Sequence, residues 1–351
     1  MNCKKTTELQ GNEYLTKQVI SSSGELLMSE GTVLKPEYIK KLIQHGIEYV
    51  IVEENYEKKR KAKEMRIHFE KDIKANVQDI LEQHVYGNAK ELSQLCNVAQ
   101  ELMDDVIQDD NLAAEIAEIK EHSADIYSHS LNVSFLATLL ASKAGYDKQT
   151  VKEVATGALL HDVGLRYVTA DYTSVELTDE KSKDAAEIRQ HVIFGYEVLE
   201  KEKWLSDLAK EIVLCHHERL DGKGFPFKYE GAQVRKTTQI VVVCDLFDRL
   251  ICGMGCKKRS KGQAAKEIEE GIGTICEEDI INLFFNFIAI YPVGCEVKLS
   301  SGERAVVQRQ NPGEAKYPVL MVRTDNKGKA VNPYSMDLRD NKNIKIEELI
   351  G

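Results

Sequence analysis

Residues 214–226 read LCHHERLDGKGFP. Two adjacent histidines, His216 and His217, close an apolar stretch, and a turn carrying Asp221, Gly222, Gly224 and Pro226 follows at once. Neighbouring residues at a helix end point in different directions, so each imidazole can address its own partner. The partners must come from elsewhere in the chain.

From 121 to about 290 the pattern is helix after helix. LNVSFLATLLASKAG, KEVATGALLHDVG, EIRQHVIFGYEVLE, WLSDLAKEIVLCHHE and RKTTQIVVVCDLFDRLI space their apolar residues by three or four. Glycines after the first two mark expected helix ends. QIVVVCDLF alone also fits a buried strand, but its length and flanks predict a helix. Polar groups interrupt these apolar faces. His129 lies in SADIYSHSLNVS with Asp125 four residues earlier, a helical spacing that puts both on one face. His161 and Asp162 follow VATGALL at a helix end, His191 sits near the start of a helix, and Asp245 breaks the run IVVVC.

A buried charge is costly unless it is paired or bound to metal, so Asp245 needs a partner. A single histidine on an apolar helix is more often an ordinary core residue; the joint pattern is what points to a metal centre. Five imidazoles with two or three carboxylates exceed what one ion takes and suit two or more ions about 3.5–4 Å apart. Histidine and carboxylate without thiolate favour iron or manganese over structural zinc.

The flanks differ in texture. Residues 14–53 predict a small α/β unit: a hairpin-like GELLMSEGTVLK, a helix PEYIKKLIQHG with Ile39, Leu42 and Ile43 on one face, and a β-rich IEYVIVEE. Residues 55–120 are charged and helical in pattern. After Pro292, short alternating runs separated by SG, NPG and DNKG turns predict a β module. The expected division is 1–54, a helical linker 55–120, a helical domain 121–290 and a β extension 291–351. A net charge of −10 argues against polymeric nucleic acid as partner. The lysine-rich runs EKKRKAK and KKRSK read as solvated faces. The longest apolar stretch, near LFFNFIAI, falls short of the roughly 20 residues of a membrane span. With no leader-like apolar region and eight scattered cysteines, the reading is a cytoplasmic protein with reduced thiols.

The order His129, His161-Asp162-Val-Gly, His191 with Gly195, HHERLDGKGFP and Asp245 resembles the HD-GYP domain, a branch of the HD metal-dependent phosphohydrolases. The resemblance covers about 120–290, and the flanks are similar to the small domain and β extension that accompany many such domains. It implies a mainly α fold, an HD-type helical bundle with a small N-terminal α/β domain and a small C-terminal β module. It implies two or three divalent ions, commonly iron, with manganese an alternative. It also implies hydrolysis of a cyclic dinucleotide, typically cyclic di-GMP, to linear dinucleotide or GMP. His129, His161, Asp162, His191, His216, His217 and Asp245 match the metal ligands, Asp162 as the bridging one, and Asp125 stands where three-metal members carry an acid.

The chain departs from that pattern at three places. HDVGL puts Leu165 where the family has lysine, with Arg166 beside it. Phe225 replaces the GYP tyrosine, keeping an aromatic face. In MGCK, Met254 and Cys256 stand at arginine and tyrosine positions, and Lys257 alone keeps the charge. The expected catalytic groups are His161, Asp162 and Lys257, and the expected substrate contacts are Lys257, Phe225, Gly224, Asp221 and Arg166. Two alternatives stand beside the phosphodiesterase: a non-catalytic cyclic dinucleotide sensor acting through a protein partner or homodimer, and a phosphohydrolase of another nucleotide.

Overall fold

The N-terminal strands pair antiparallel among themselves, and packing joins them to the C-terminal segment. Strand β1 (Asn2–Lys5) pairs with β5 (Tyr49–Glu53), which also pairs with β2 (Tyr14–Leu15). A short ribbon of β3 (Val19–Ile20) and β4 (Leu26–Met28) lies between them in sequence, followed by helix α1 (Pro36–Gln44). Proline at the start of α1 has no N–H to leave unpaired there. Leu42 is buried and Ile39 packs against the same core, whereas Ile43 is exposed, so the apolar face of α1 is narrower than its sequence suggests. This computed structural model describes residues 2–21, 26–53, 72–80, 82, 92–95, 97–100, 125–173, 175–291, 293–311 and 313–350. Most of the expected linker at 55–120, including EKKRKAK, lies outside them.

The C-terminal segment forms a five-stranded antiparallel sheet in the order β10-β6-β7-β8-β9. Its strands are β6 (Glu296–Leu299), β7 (Arg304–Arg309), β8 (Val319–Thr324), β9 (Ala330–Asp337) and β10 (Ile346–Leu349). It joins the N-terminal segment in one compact unit, residues 1–71 with 291–351. Cys3 and Tyr49 share a buried cluster with Val306 and Met321, and the Gln308 side chain donates to the Cys3 carbonyl at 3.2 Å.

Residues 72–290 form the second unit, which is helical. Its helices include α2 (Ile126–Lys143), α3 (Lys148–Leu160), α4 (Lys183–Ile188), α5 (His191–Leu199), α6 (Asp207–Cys215), α7 (Lys236–Cys252), α8 (Lys261–Glu270) and α9 (Glu278–Phe287). A helix apolar on every side belongs in the middle of a core. Every residue of α2 from His129 to Ala141 is buried, and α2 packs against α3 and α7. Burying side chains such as Phe135 and Leu139 contributes about 1.5–3 kcal/mol each. Asp147 caps α3, and Ser182, Ser206 and Ser260 cap α4, α6 and α8, at about 1 kcal/mol apiece. IVVVC is helical, part of α7. None of the helices among the described residues is long and apolar enough to cross a membrane.

Candidate metal centre

Five helices deliver polar side chains to one buried point. His129 comes from the first turns of α2, and His161 caps the C-terminus of α3 with Asp162 next to it. His191 is the first residue of α5, His216 caps α6, and Asp245 lies in the middle of α7. Glycines set how closely these elements approach. A Cβ on Gly164 would fall 1.8 Å from the His191 carbonyl oxygen and 2.6 Å from the Gly195 nitrogen. Gly164 therefore does not end α3, which stops at Leu160. It lets the turn after Asp162 press against the start of α5, so that His191 meets Asp162.

The imidazoles are held from behind. His161 Nδ1 donates to the Ala158 carbonyl at 2.6 Å, His191 Nδ1 to Ile188 at 2.7 Å and His216 Nδ1 to Val213 at 3.0 Å. A carbonyl only accepts, so each Nδ1 carries the proton, and a neutral ring then presents a bare lone pair at Nε2. The lone pairs of His191 and His216 face one another, and that of His161 faces the ring of His129, which Asp245 and Asp248 hold protonated. His191 Nε2 lies 3.3 Å from His216 Nε2, and His161 Nε2 lies 3.2 Å from His129 Nε2. His129 Nδ1 contacts Asp248 Oδ2 at 2.8 Å.

Asp162 stands between the two pairs. Its Oδ1 is 3.2 Å from His191 Nε2 and 3.6 Å from His216 Nε2; its Oδ2 is 3.4 Å from His161 Nε2 and 3.6 Å from His129 Nε2. Asp245 Oδ1 is 3.2 Å from His129 Nε2, and its Oδ2 is 3.6 Å from His217 Nδ1. Burial alone would raise both carboxyls, but the imidazoles around Asp162, and Arg249 with His129 beside Asp245, hold them well below the usual carboxylate range. Burial lowers His216 to about 4 and, with the neighbouring His216 and Arg249, lowers His217 well below the usual imidazole value. Burial also opposes charge on His129, yet Asp245 and Asp248 outweigh it and raise that group to about 10.

Opposed lone pairs repel unless a cation lies between them, and a donor set of imidazoles and carboxylates suits a divalent ion. The residues present therefore fit the implied metal. Asp162, His191, His216 and His217 bring donor atoms within 4.8 Å of one another, as do His129, His161 and Asp162. The cluster could hold a metal ion on either side of Asp162.

Other expected residues lie elsewhere. Asp125 precedes α2 with extended backbone, so the helical spacing to His129 does not apply. Its carboxylate accepts from the backbone N–H groups of Tyr127 and Ser128 and pairs with Lys74. Lys257 is exposed, with its backbone N–H bonded to Glu176. Asp221 is paired with Arg219 at 2.7 Å. Arg166 is half-buried, and its Nη1 is buried with no hydrogen-bond partner among the described residues. Phe225 does reach the cluster, its ring 4.5 Å from that of His217. Gly224 makes this possible, since a Cβ there would meet the Glu218 Cα at 2.6 Å. Buried Glu218 then holds the loop beyond by accepting from the N–H groups of Phe227 and Tyr229, at 2.6 and 2.9 Å. Leu165 and Met254 pack into one apolar cluster with Leu177, Ile188 and Cys252.

Three residues escaped the sequence reading: Asp248, Asn132 and Arg249. Asp248 accepts from Asn132 Nδ2 at 3.1 Å as well as contacting His129. Arg249 donates from Nε to Asp245. The signal was present, because Asp248 and Arg249 interrupt a buried helix as Asp245 does.

Residues 126–251 match the HD domain family. A cyclic di-GMP phosphodiesterase of Pseudomonas aeruginosa is 28% identical over 228 residues, 64% of this chain and 54% of the relative. A cyclic di-GMP phosphodiesterase of Thermotoga maritima is 25% identical over 187 residues, 53% of this chain and 49% of the relative. A 3'3'-cGAMP-specific phosphodiesterase of Vibrio cholerae is 27% identical over 182 residues, 49% of this chain and 34% of the relative. The chain spans about half the length of the first two relatives and a third of the last. Among solved structures, an HDG"Y"P protein from Bdellovibrio bacteriovorus shares the fold with a TM-score of 0.53 at 19% identity, over 80% of this chain and 97% of that one.

Proposed function

Residues 126–251 are an HD domain, and from that premise we propose that the chain is a metal-dependent phosphodiesterase that opens a cyclic dinucleotide, cyclic di-GMP first, to linear dinucleotide or GMP. The observation that carries this reading is the pair of opposed Nε2 contacts split by one carboxylate, Asp162. It supports two divalent ions, iron or manganese, one on each side. Such ions, when bound, supply a water acidic enough to attack near neutral pH and charge to offset that on the phosphate.

The chain's own residues do the rest. Carbonyls of Ala158, Ile188 and Val213 fix the imidazole tautomers, so no side-chain rotation is needed for the donors to converge. Phe225 shields one face of His217 from water and, being half-buried, offers its other face for stacking a base. The relatives whose names give cyclic di-GMP or 3'3'-cGAMP as substrate support the substrate class.

A second reading draws on Leu165 and Met254. Both stand at positions where the resemblance places cations, and both are packed in an apolar cluster. That favours a sensor or a different nucleotide substrate. A chromatographic panel decides: cyclic di-GMP, 3'3'-cGAMP and a mononucleotide are each incubated with manganese-loaded protein. Cleavage of cyclic di-GMP above the others supports the first reading. Binding of cyclic di-GMP without any cleavage would replace it with the sensor.

A further inference from the structure

Arg249 lies four residues after Asp245 on the same buried helix. Its Nε donates to both carboxylate oxygens, at 3.0 Å to Oδ1 and 2.8 Å to Oδ2. The Asp245 side chain is 1% exposed and that of Arg249 13%. Asp245 is also the carboxylate that faces His129 Nε2 and His161 Nε2, at 3.2 and 3.7 Å. One half of the centre thus has a permanent cation in contact with its acid. The other half differs: among the described residues, the partners within ion-pair distance of Asp162 are all imidazoles.

A guanidinium and a divalent ion compete for the same oxygen lone pairs. Two cations held a few ångströms apart inside a protein also repel strongly, because little water lies between them to screen the charge. Arginine stays protonated at any ordinary pH, so it cannot relieve this by losing a proton. We infer that Arg249 is a built-in cation of the centre, neutralising Asp245 in place of a divalent ion. It weakens the His129–His161–Asp245 donor set for metal and leaves Asp162, His191 and His216 as the tight site. This rests on reading the cluster as a metal centre. The chain then holds one divalent ion firmly and takes a second only at raised metal concentration.

The test uses the full chain, stripped with chelator and reloaded without oxygen using Mn(II). Metal is counted after desalting, and binding is followed by calorimetric titration. The wild type is expected to retain one equivalent and to bind a second at least about tenfold more weakly. Arg249→Met keeps the apolar stem and removes the charge; it is expected to retain two. Arg249→Lys keeps the cation and is expected to retain one. Two tight equivalents in the wild type, unchanged in Arg249→Met, would overturn the inference and leave the metal centre standing. No tightly held metal in any of the three would overturn the reading of the cluster, and the inference with it. Should Arg249→Met fail to fold, Asp245→Asn decides. It keeps the tight equivalent if Asp245 serves Arg249, and loss of that equivalent contradicts the inference.

Discussion

His191 Nε2 and His216 Nε2 approach to 3.3 Å while each ring gives its Nδ1 proton to a backbone carbonyl. Two lone pairs so placed make sense as one half-site. His191→Ala and His216→Ala are each expected to lose the tight ion, with activity falling by more than about 100-fold. The double variant should be no worse than either single one, because the two side chains act as a unit. Metal analysis of the three desalted variants checks this; additive, partial losses would separate the two rings.

Asp248 never faces the metal side of His129, yet it fixes that ring through Nδ1. Replacing it by asparagine keeps the shape and removes the charge. Metal affinity at the His129 side is expected to drop about 10- to 100-fold with the fold retained. Competition with a chromogenic chelator measures it, with circular dichroism as the control.

Gly164 tests the packing that assembles the centre. Gly164→Ala would drive a Cβ against backbone at 1.8 Å, where no side chain can bend away. Overpacking of this kind costs about 1–3 kcal/mol. A lower thermal midpoint together with loss of tight metal is the expected outcome, and an unchanged midpoint would show that α5 can shift freely.

Proton release follows from the contrast between two histidines. His129 is raised to about 10 by Asp245 and Asp248 against burial, so it is charged in the metal-free protein at pH 7. That proton's stabilisation is fully present below the group's ordinary value of 6.5 and is lost as pH rises through about 10. His216, lowered to about 4 by burial, is already neutral at pH 7. Filling the His129 side must therefore expel a proton and should tighten as pH rises, whereas His216 contributes none. Titrations in buffers of different ionisation enthalpy read the proton count directly.

Much of this centre was legible because buried polar residues stand out on apolar helices. His129, His161, Asp162, His191, His216, His217 and Asp245 all interrupt such faces, and the structure brings them together. Lys257, Asp221 and Asp125 are less legible, because charge near a motif says nothing of direction. One faces solvent, one pairs with its neighbour Arg219, and one caps a helix. The union of the chain's two ends was not legible either. Contacts such as Gln308 to Cys3 join residues 305 positions apart and leave no local pattern. In the sequence Gly164 looks like a helix stop, since its close neighbours, His191 and Gly195, come from a different helix.

The most direct measurement is chromatography of cyclic di-GMP after incubation with chelator-stripped protein, with the same protein reloaded with manganese or iron, and with reloaded Asp162→Ala. Linear dinucleotide or GMP is expected only from the reloaded wild type. Equal turnover by the stripped protein or by Asp162→Ala would contradict a metal-dependent phosphodiesterase centred on that carboxylate.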